Sequence, residues 1–309
     1  MKLQKTLLAL AIAGLASGAA QAGPITFTFD PTGTGGAAGD ISGVSTMDWA
    51  PGNVMAVNGG IPMMGMGAHV TDLYQANLST MQDIDGNNVF SNGSGGKNFT
   101  IVAGFGEVVT SLSPQCASGP LNCTANFSMD YSNPVNFVNV YATGAIGNNS
   151  GGTGFTTGNA ILKGHVANVA TNFTVNSVDA GLLDQHGSDQ YGGLHTLGGI
   201  GGGDIMFVID WVDTNYFPDL APSTLYTLGF VNTSLIDPYK QVDPSHKFSS
   251  NGVADGDTTP VLGNENGFGK DFLFLGDTNA SLAIPEPASL GLLGIALAGM
   301  GLSRRRRAA

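Results

Sequence analysis

Short runs in which apolar residues alternate with polar ones, most of them ended by glycines, limit what this chain can fold into. Ile25, Phe27 and Phe29 alternate with threonines, and Phe99, Ile101, Ala103 and Phe105 repeat the pattern ahead of Val108 and Val109. Phe127, Met129 and Tyr131 alternate with Ser128 and Asp130. Ile205, Phe207, Ile209 and Trp211 fall on one face of a strand, with Met206, Val208 and Val212 on the other. Val135 to Tyr141 reads as a strand buried on both faces, and Phe272 to Leu275 closes the set. A period of two sends successive side chains to opposite faces, which suits strands; no segment of the body keeps a helical period over three turns.

Between these runs lie glycine clusters at Gly33 to Gly39, Gly93 to Gly96, Gly147 to Gly154 and Gly192 to Gly203, which read as loops and turns. Short strands separated by Gly/Asn turns predict an all-β protein, a single β-sandwich or jelly-roll-like domain. No fixed-period repeat points to a propeller or β-helix.

Both chain ends carry targeting patterns. Lys2 and Lys5 precede the apolar stretch Leu7 to Leu15, and Ala20-Gln21-Ala22 is a small-residue cleavage site, which predicts removal of residues 1–22 between Ala22 and Gly23. The mature body is then 23–283, long enough for one sizeable core. Residues 284–309 have three parts in order. Pro285-Glu286-Pro287 breaks any regular structure, because proline fixes φ and lacks an amide donor. The uncharged run Ala288 to Ser303 follows, then Arg304, Arg305, Arg306 and Arg307. As a helix that run spans roughly 24 Å, short of a ~30 Å hydrocarbon core, and snorkelling arginines can make up the difference. The arginines hold their end on the cytoplasmic side and place the body outside.

Without its two ends the chain keeps five lysines (Lys97, Lys163, Lys240, Lys247, Lys270) against 22 acidic residues, a net charge near −17. Such a surface repels nucleic acid and anionic lipid, and it suits divalent cations or cationic partners. Cys116 and Cys123 are the only cysteines, and in an exported chain they predict one disulfide closing a short loop around Ala117-Ser118-Gly119-Pro120.

The tail of Pro285, Glu286, Pro287, apolar run and arginines resembles the PEP-CTERM sorting signal of Gram-negative bacteria. That resemblance implies processing by an exosortase near the Pro-Glu-Pro motif, a transient stage in the inner membrane, and delivery to the cell surface or beyond. The body resembles flocculation-associated PEP-CTERM proteins, on Phe27-Thr28-Phe29-Asp30-Pro31-Thr32-Gly33, Asp48-Trp49-Ala50-Pro51-Gly52-Asn53, Asp72-Leu73-Tyr74-Gln75-Ala76-Asn77-Leu78, Val102-Ala103-Gly104-Phe105-Gly106-Glu107 and Asn215-Tyr216-Phe217-Pro218-Asp219-Leu220. It implies a protein that acts with secreted polysaccharide in floc formation, and it carries over no catalytic residues.

Candidate chemistry is sparse. Asp83, Asp85 and Asn87 space three oxygen-bearing side chains two apart, as a calcium loop does. However, Gly86 and Ser94 stand where an EF-hand pattern does not want them, and an Asx turn accounts for the same residues. Apart from that Ca²⁺ reading, no cofactor is expected. His69, His165, His186, His195 and His246 are scattered, without metalloprotease spacing. The loop beginning at Gly33 has the composition of a phosphate loop but neither a following helix nor a lysine. Of the aromatics that could stack on a sugar, Trp49, beside Pro51 and Gly52 in a loop-like stretch, is the expected contact. The leading expectation is a non-enzymatic matrix or surface protein promoting floc or biofilm formation with exopolysaccharide. The alternative is a secreted carbohydrate-binding or carbohydrate-active β-sandwich.

Overall fold

A computed structural model describes residues 26–59, 65–119, 121–148, 152–177, 198–230 and 272–283. Within them lie eleven strands: β1 (Phe27–Phe29), β2 (Ile41–Val57), β3 (His69–Asp83), β4 (Asn88–Ser91), β5 (Asn98–Leu112), β6 (Thr124–Met129), β7 (Phe137–Thr143), β8 (Asn159–Ser177), β9 (Gly198–Val212), β10 (Leu225–Phe230) and β11 (Phe272–Ala283). The only helical segments among the described residues are two short 3-10 turns, Ser94–Gly96 and Pro114–Ser118. The compact β unit spans Ile25–Leu282.

The all-β class is as the alternation predicts. In detail the sheet closes on itself instead of dividing into two stacked layers. The order β2-β11-β10-β9-β8-β6-β5-β3 returns to β2 through the β2–β3 pairing, giving a closed eight-stranded barrel. The pairs β2–β3, β2–β11, β3–β5, β5–β6, β6–β8, β8–β9 and β9–β10 are antiparallel, and β1 is added antiparallel beside β2 and β4 beside β3. Closure leaves the barrel strands without the unpaired edges that invite aggregation.

One slot of the barrel wall is filled by two strands in succession. Along β5, Met129 of β6 lies opposite Glu107 and Phe137 of β7 lies opposite Gly104. The same two strands pair with β8, at Ser128↔Ala170 and Val138↔Gly164. β6 and β7 therefore act as one strand interrupted by residues 130–136. Tyr131, which alternation places on a strand with Phe127 and Met129, leaves the ladder here. Side chains repair the gap: Asn136 accepts from the Val166 amide at 2.6 Å and donates to the Val166 carbonyl at 3.1 Å. This is the pairing a strand residue would make, carried by an amide side chain.

Two sequence readings are corrected by the ladder. Trp49-Ala50-Pro51-Gly52 is part of β2, which carries one residue more than β3 between Trp49↔Leu78 and Asn53↔Gln75. Proline, without an amide donor, is tolerated at such a bulge. At Gly52 an added Cβ would lie 2.2 Å from the Gln75 carbonyl, so close approach of β3 excludes a side chain. Likewise Gly198 to Gly203, read as loop, pairs with β8 from Ser177 to Thr171. The Phe173 ring crosses Gly199, where a Cβ would meet it at 2.2 Å, so the missing side chains make room for an aromatic.

The barrel interior is filled by side chains. Trp49, Tyr74, Tyr226, Phe207, Ile101 and Ile209 belong to one buried cluster. Phe27, Phe29, Phe90, Phe99 and Phe217 extend it, with ring centroids 5.1 to 5.9 Å apart in tilted and edge-on contacts. β1 and the turn after β9 are tied together around this plug. The Asp30 amide donates to the Tyr216 carbonyl at 2.9 Å, and the Thr28 amide reaches both Asp219 carboxylate oxygens at 2.9 Å. A smaller cluster contains Ala56, Val70, Val109, Ala125 and Phe127.

Candidate functional site

Several acidic residues of the described structure close turns through their own neighbours' amides. At the β3–β4 turn the Asp83 carboxylate accepts from the amides of Asp85 (3.0 Å) and Asn87 (2.8 Å) and from the Asn87 side-chain nitrogen (3.0 Å). These donors hold its pKa below the usual value, with the Asn87 side chain the largest cause. Asn87 thus presents its nitrogen to Asp83, and the Asp83, Asp85, Asn87 spacing forms an Asx turn. Among the described residues no group of three or more His, Cys, Asp and Glu side chains stands in a metal-binding arrangement.

The loop with a phosphate-loop composition is organised around its own carboxylate. Asp30, buried, accepts from the Thr32 amide (2.7 Å), the Thr32 hydroxyl (2.6 Å), and the amides of Thr34 and Gly35 (both 3.2 Å). Burial raises its pKa, but the four donors together outweigh that and lower it. Asp130 repeats the device, accepting from the Ser132 amide at 2.9 Å and hydroxyl at 2.6 Å, with His69 Nδ1 2.8 Å away. Its pKa is lowered, Ser132 being the largest cause.

One pair of carboxyls escaped sequence reasoning. Asp72 on β3 and Glu107 on β5 are buried and hydrogen-bonded to each other, and the Thr171 hydroxyl donates to Glu107 at 2.6 Å. Burial pushes both pKa values up. Asp72 rises well above its ordinary value because the Glu107 charge adds to its desolvation. Two buried carboxyls in contact, both with raised pKa values, share a proton across their hydrogen bond. The only sequence signal was that β3 and β5 carry Asp72 and Glu107 at positions in phase with Tyr74 and Phe105, the inward side of each alternation.

Trp49, the expected sugar contact, is fully buried in the barrel and offers no face to solvent. The reason is the strand continuation through Pro51, which turns position 49 inward. Tyr74 is also in the core, and its hydroxyl bonds to the Thr278 hydroxyl at 2.8 Å. Cys116 and Cys123 are joined in a disulfide after β5, with Cys123 buried. The cleavage pair Ala22 and Gly23, the motif Pro285, Glu286, Pro287, and Arg304, Arg305, Arg306 and Arg307 lie outside the described residues, as do His186, His195 and His246.

Two large aromatic side chains are exposed among the described residues, Tyr131 at 78% and Trp211 at 44%, and both adjoin β8. Trp211 pairs with Lys163 across the β8–β9 ladder, and the Lys163 ammonium stands 5.6 Å from the indole centroid. The Tyr131 hydroxyl donates to the Ala167 carbonyl at 3.4 Å. Between them His165 Nδ1 lies 2.9 Å from the Asp210 carboxylate, both side chains being about half exposed.

Comparison with known proteins identifies the C-terminal segment. Residues 283–307 match the family model of the PEP-CTERM protein-sorting motif, a span that includes Pro285-Glu286-Pro287 and the four arginines. No curated protein and no solved structure matches the chain.

Proposed function

We propose that this chain, an exported exosortase substrate by its sorting motif, is a non-enzymatic component of the bacterial surface or extracellular matrix. In this reading it promotes floc or biofilm formation together with exopolysaccharide, after a transient stage in the inner membrane. The sorting motif at 283–307 is the observation that carries the proposal. The acidic body is supporting, since a net charge near −17 keeps an exported protein soluble and off anionic surfaces. The turn-closing roles of Asp30, Asp83 and Asp130 also support it, because these carboxylates are engaged by backbone donors.

A second reading, a secreted carbohydrate-binding or carbohydrate-active protein, would also use the exposed Trp211 and Tyr131. Deletion of the gene and addition of purified protein separates the two. The matrix reading expects loss of flocs on deletion and their return on addition. Normal flocs in the deletion strain would contradict it, and release of reducing sugar from the polysaccharide by pure protein would establish the enzyme instead.

A further inference from the structure

The outer flank of β8 and β9 gathers features that the rest of the described surface does not. Single exposed apolar residues are ordinary on any protein, and Met66, Ile84, Leu121 and Ile146 are of that kind. Tyr131 and Trp211 differ because one strand connects them. Trp211 is opposite Lys163, and Tyr131 bonds to Ala167, four residues further along β8. A strand rises about 3.3 Å per residue, so the two rings mark a line on the order of 13 Å long.

Polar groups occupy the middle of that line. His165 points outward from β8 toward Asp210, the extra residue of a bulge in β9 between Trp211 and Ile209. The pair offers a ring nitrogen and carboxylate oxygens to solvent while the two hold each other in place. Lys163 lies over the indole and fixes that ring by cation–π attraction, and its charge offsets that of Asp210. The flank is thus two aromatic rings with hydrogen-bonding groups between them and little local net charge, on a body near −17.

From this arrangement we propose that the Trp211–Tyr131 flank of the barrel binds a neutral polysaccharide strand. A pyranose ring presents a face of C–H bonds that packs on the electron-rich face of an aromatic ring, while its hydroxyls need donors and acceptors at the edge. The line is long enough for a few such rings. An anionic polymer is disfavoured, because it would approach a strongly acidic body with one lysine at the contact. The inference rests on the matrix reading, and names the surface through which the protein would hold its polysaccharide.

The test uses the mature exported protein and the producing strain's own exopolysaccharide, deproteinised and split by anion exchange into neutral and acidic fractions. Affinity electrophoresis should show the wild type retarded by the neutral fraction. Trp211→Ala and Tyr131→Ala combined should weaken that retardation by about tenfold or more, the loss expected when stacking contacts are removed. Ile84→Ala, at an exposed residue of the β3–β4 turn, should change nothing, and thermal unfolding should be the same for all variants. Equal retardation of wild type and double variant overturns this surface while leaving the matrix reading intact. Binding to the acidic fraction alone also overturns it. Binding to neither fraction overturns this surface and the partnership with exopolysaccharide together.

Discussion

Carboxylates in this protein divide by the company they keep. Asp30 and Asp130 stand among hydroxyls and backbone amides, and Asp83 against the Asn87 side chain and backbone amides, donors that lower their pKa values, whereas burial beside Glu107 pushes Asp72 up. The two groups act on stability in opposite directions. The lowered aspartates contribute above the unfolded value of about 3.9 and lose that contribution as the pH falls through their folded values. With Glu107, Asp72 holds a proton in the folded state at pH values where the unfolded chain has released it. Its contribution is therefore complete below about 3.9 and is lost as the pH rises toward its folded value, at about 1 kcal/mol per pH unit. Asp72→Asn keeps the donor to Glu107 and removes the titration. Denaturant unfolding should show the variant losing less stability than the wild type between pH 5 and 8; parallel curves would contradict the shared proton.

At the scale of elements, the interrupted strand is the feature most exposed to a single change. Asn136 makes both hydrogen bonds that stand in for the missing ladder beside Val166. Asn136→Ala leaves that amide and carbonyl without their partner and should cost about 1–3 kcal/mol, read as a lower denaturant midpoint with an unchanged slope. A cost near zero would mean that water replaces the side chain. Much of the ladder was legible beforehand: β1, β5, β6, β9 and the start of β11 follow from alternation at Phe27, Phe99, Phe127, Ile205 and Phe272. β2 was hidden because Pro51 and Gly52 signal a turn, and only pairing on both sides by β3 and β11 makes them a bulge. The glycine start of β9 was hidden because its reason lies on another strand, in Phe173. Barrel closure through β2–β3 is a matter of which strands meet, which period-two patterning does not encode. The Asp72–Glu107 pair and the Trp211–Tyr131 flank were invisible for the same cause, since each joins residues from different strands. The sorting segment was fully legible, because its signal is local order along the chain.

For the whole molecule, charge and export set the terms. A body near −17 repels its own copies and anionic polymers, so attraction between net charges is not available to hold cells together. Cohesion through stacking and uncharged hydrogen bonds predicts weak salt dependence: raising ionic strength from about 0.05 to 0.5 M, which shortens the screening length severalfold, should leave polysaccharide affinity within about twofold. A tenfold fall would instead assign the contact to charge pairing. Everything proposed for this protein depends on its reaching the matrix as a processed exosortase substrate, which the intact mass of the protein recovered from that matrix reports. That mass should fit a chain that begins at Gly23 and ends near Pro285–Pro287, without Arg304 to Ala309. A matrix form whose mass still includes that arginine tail would contradict it.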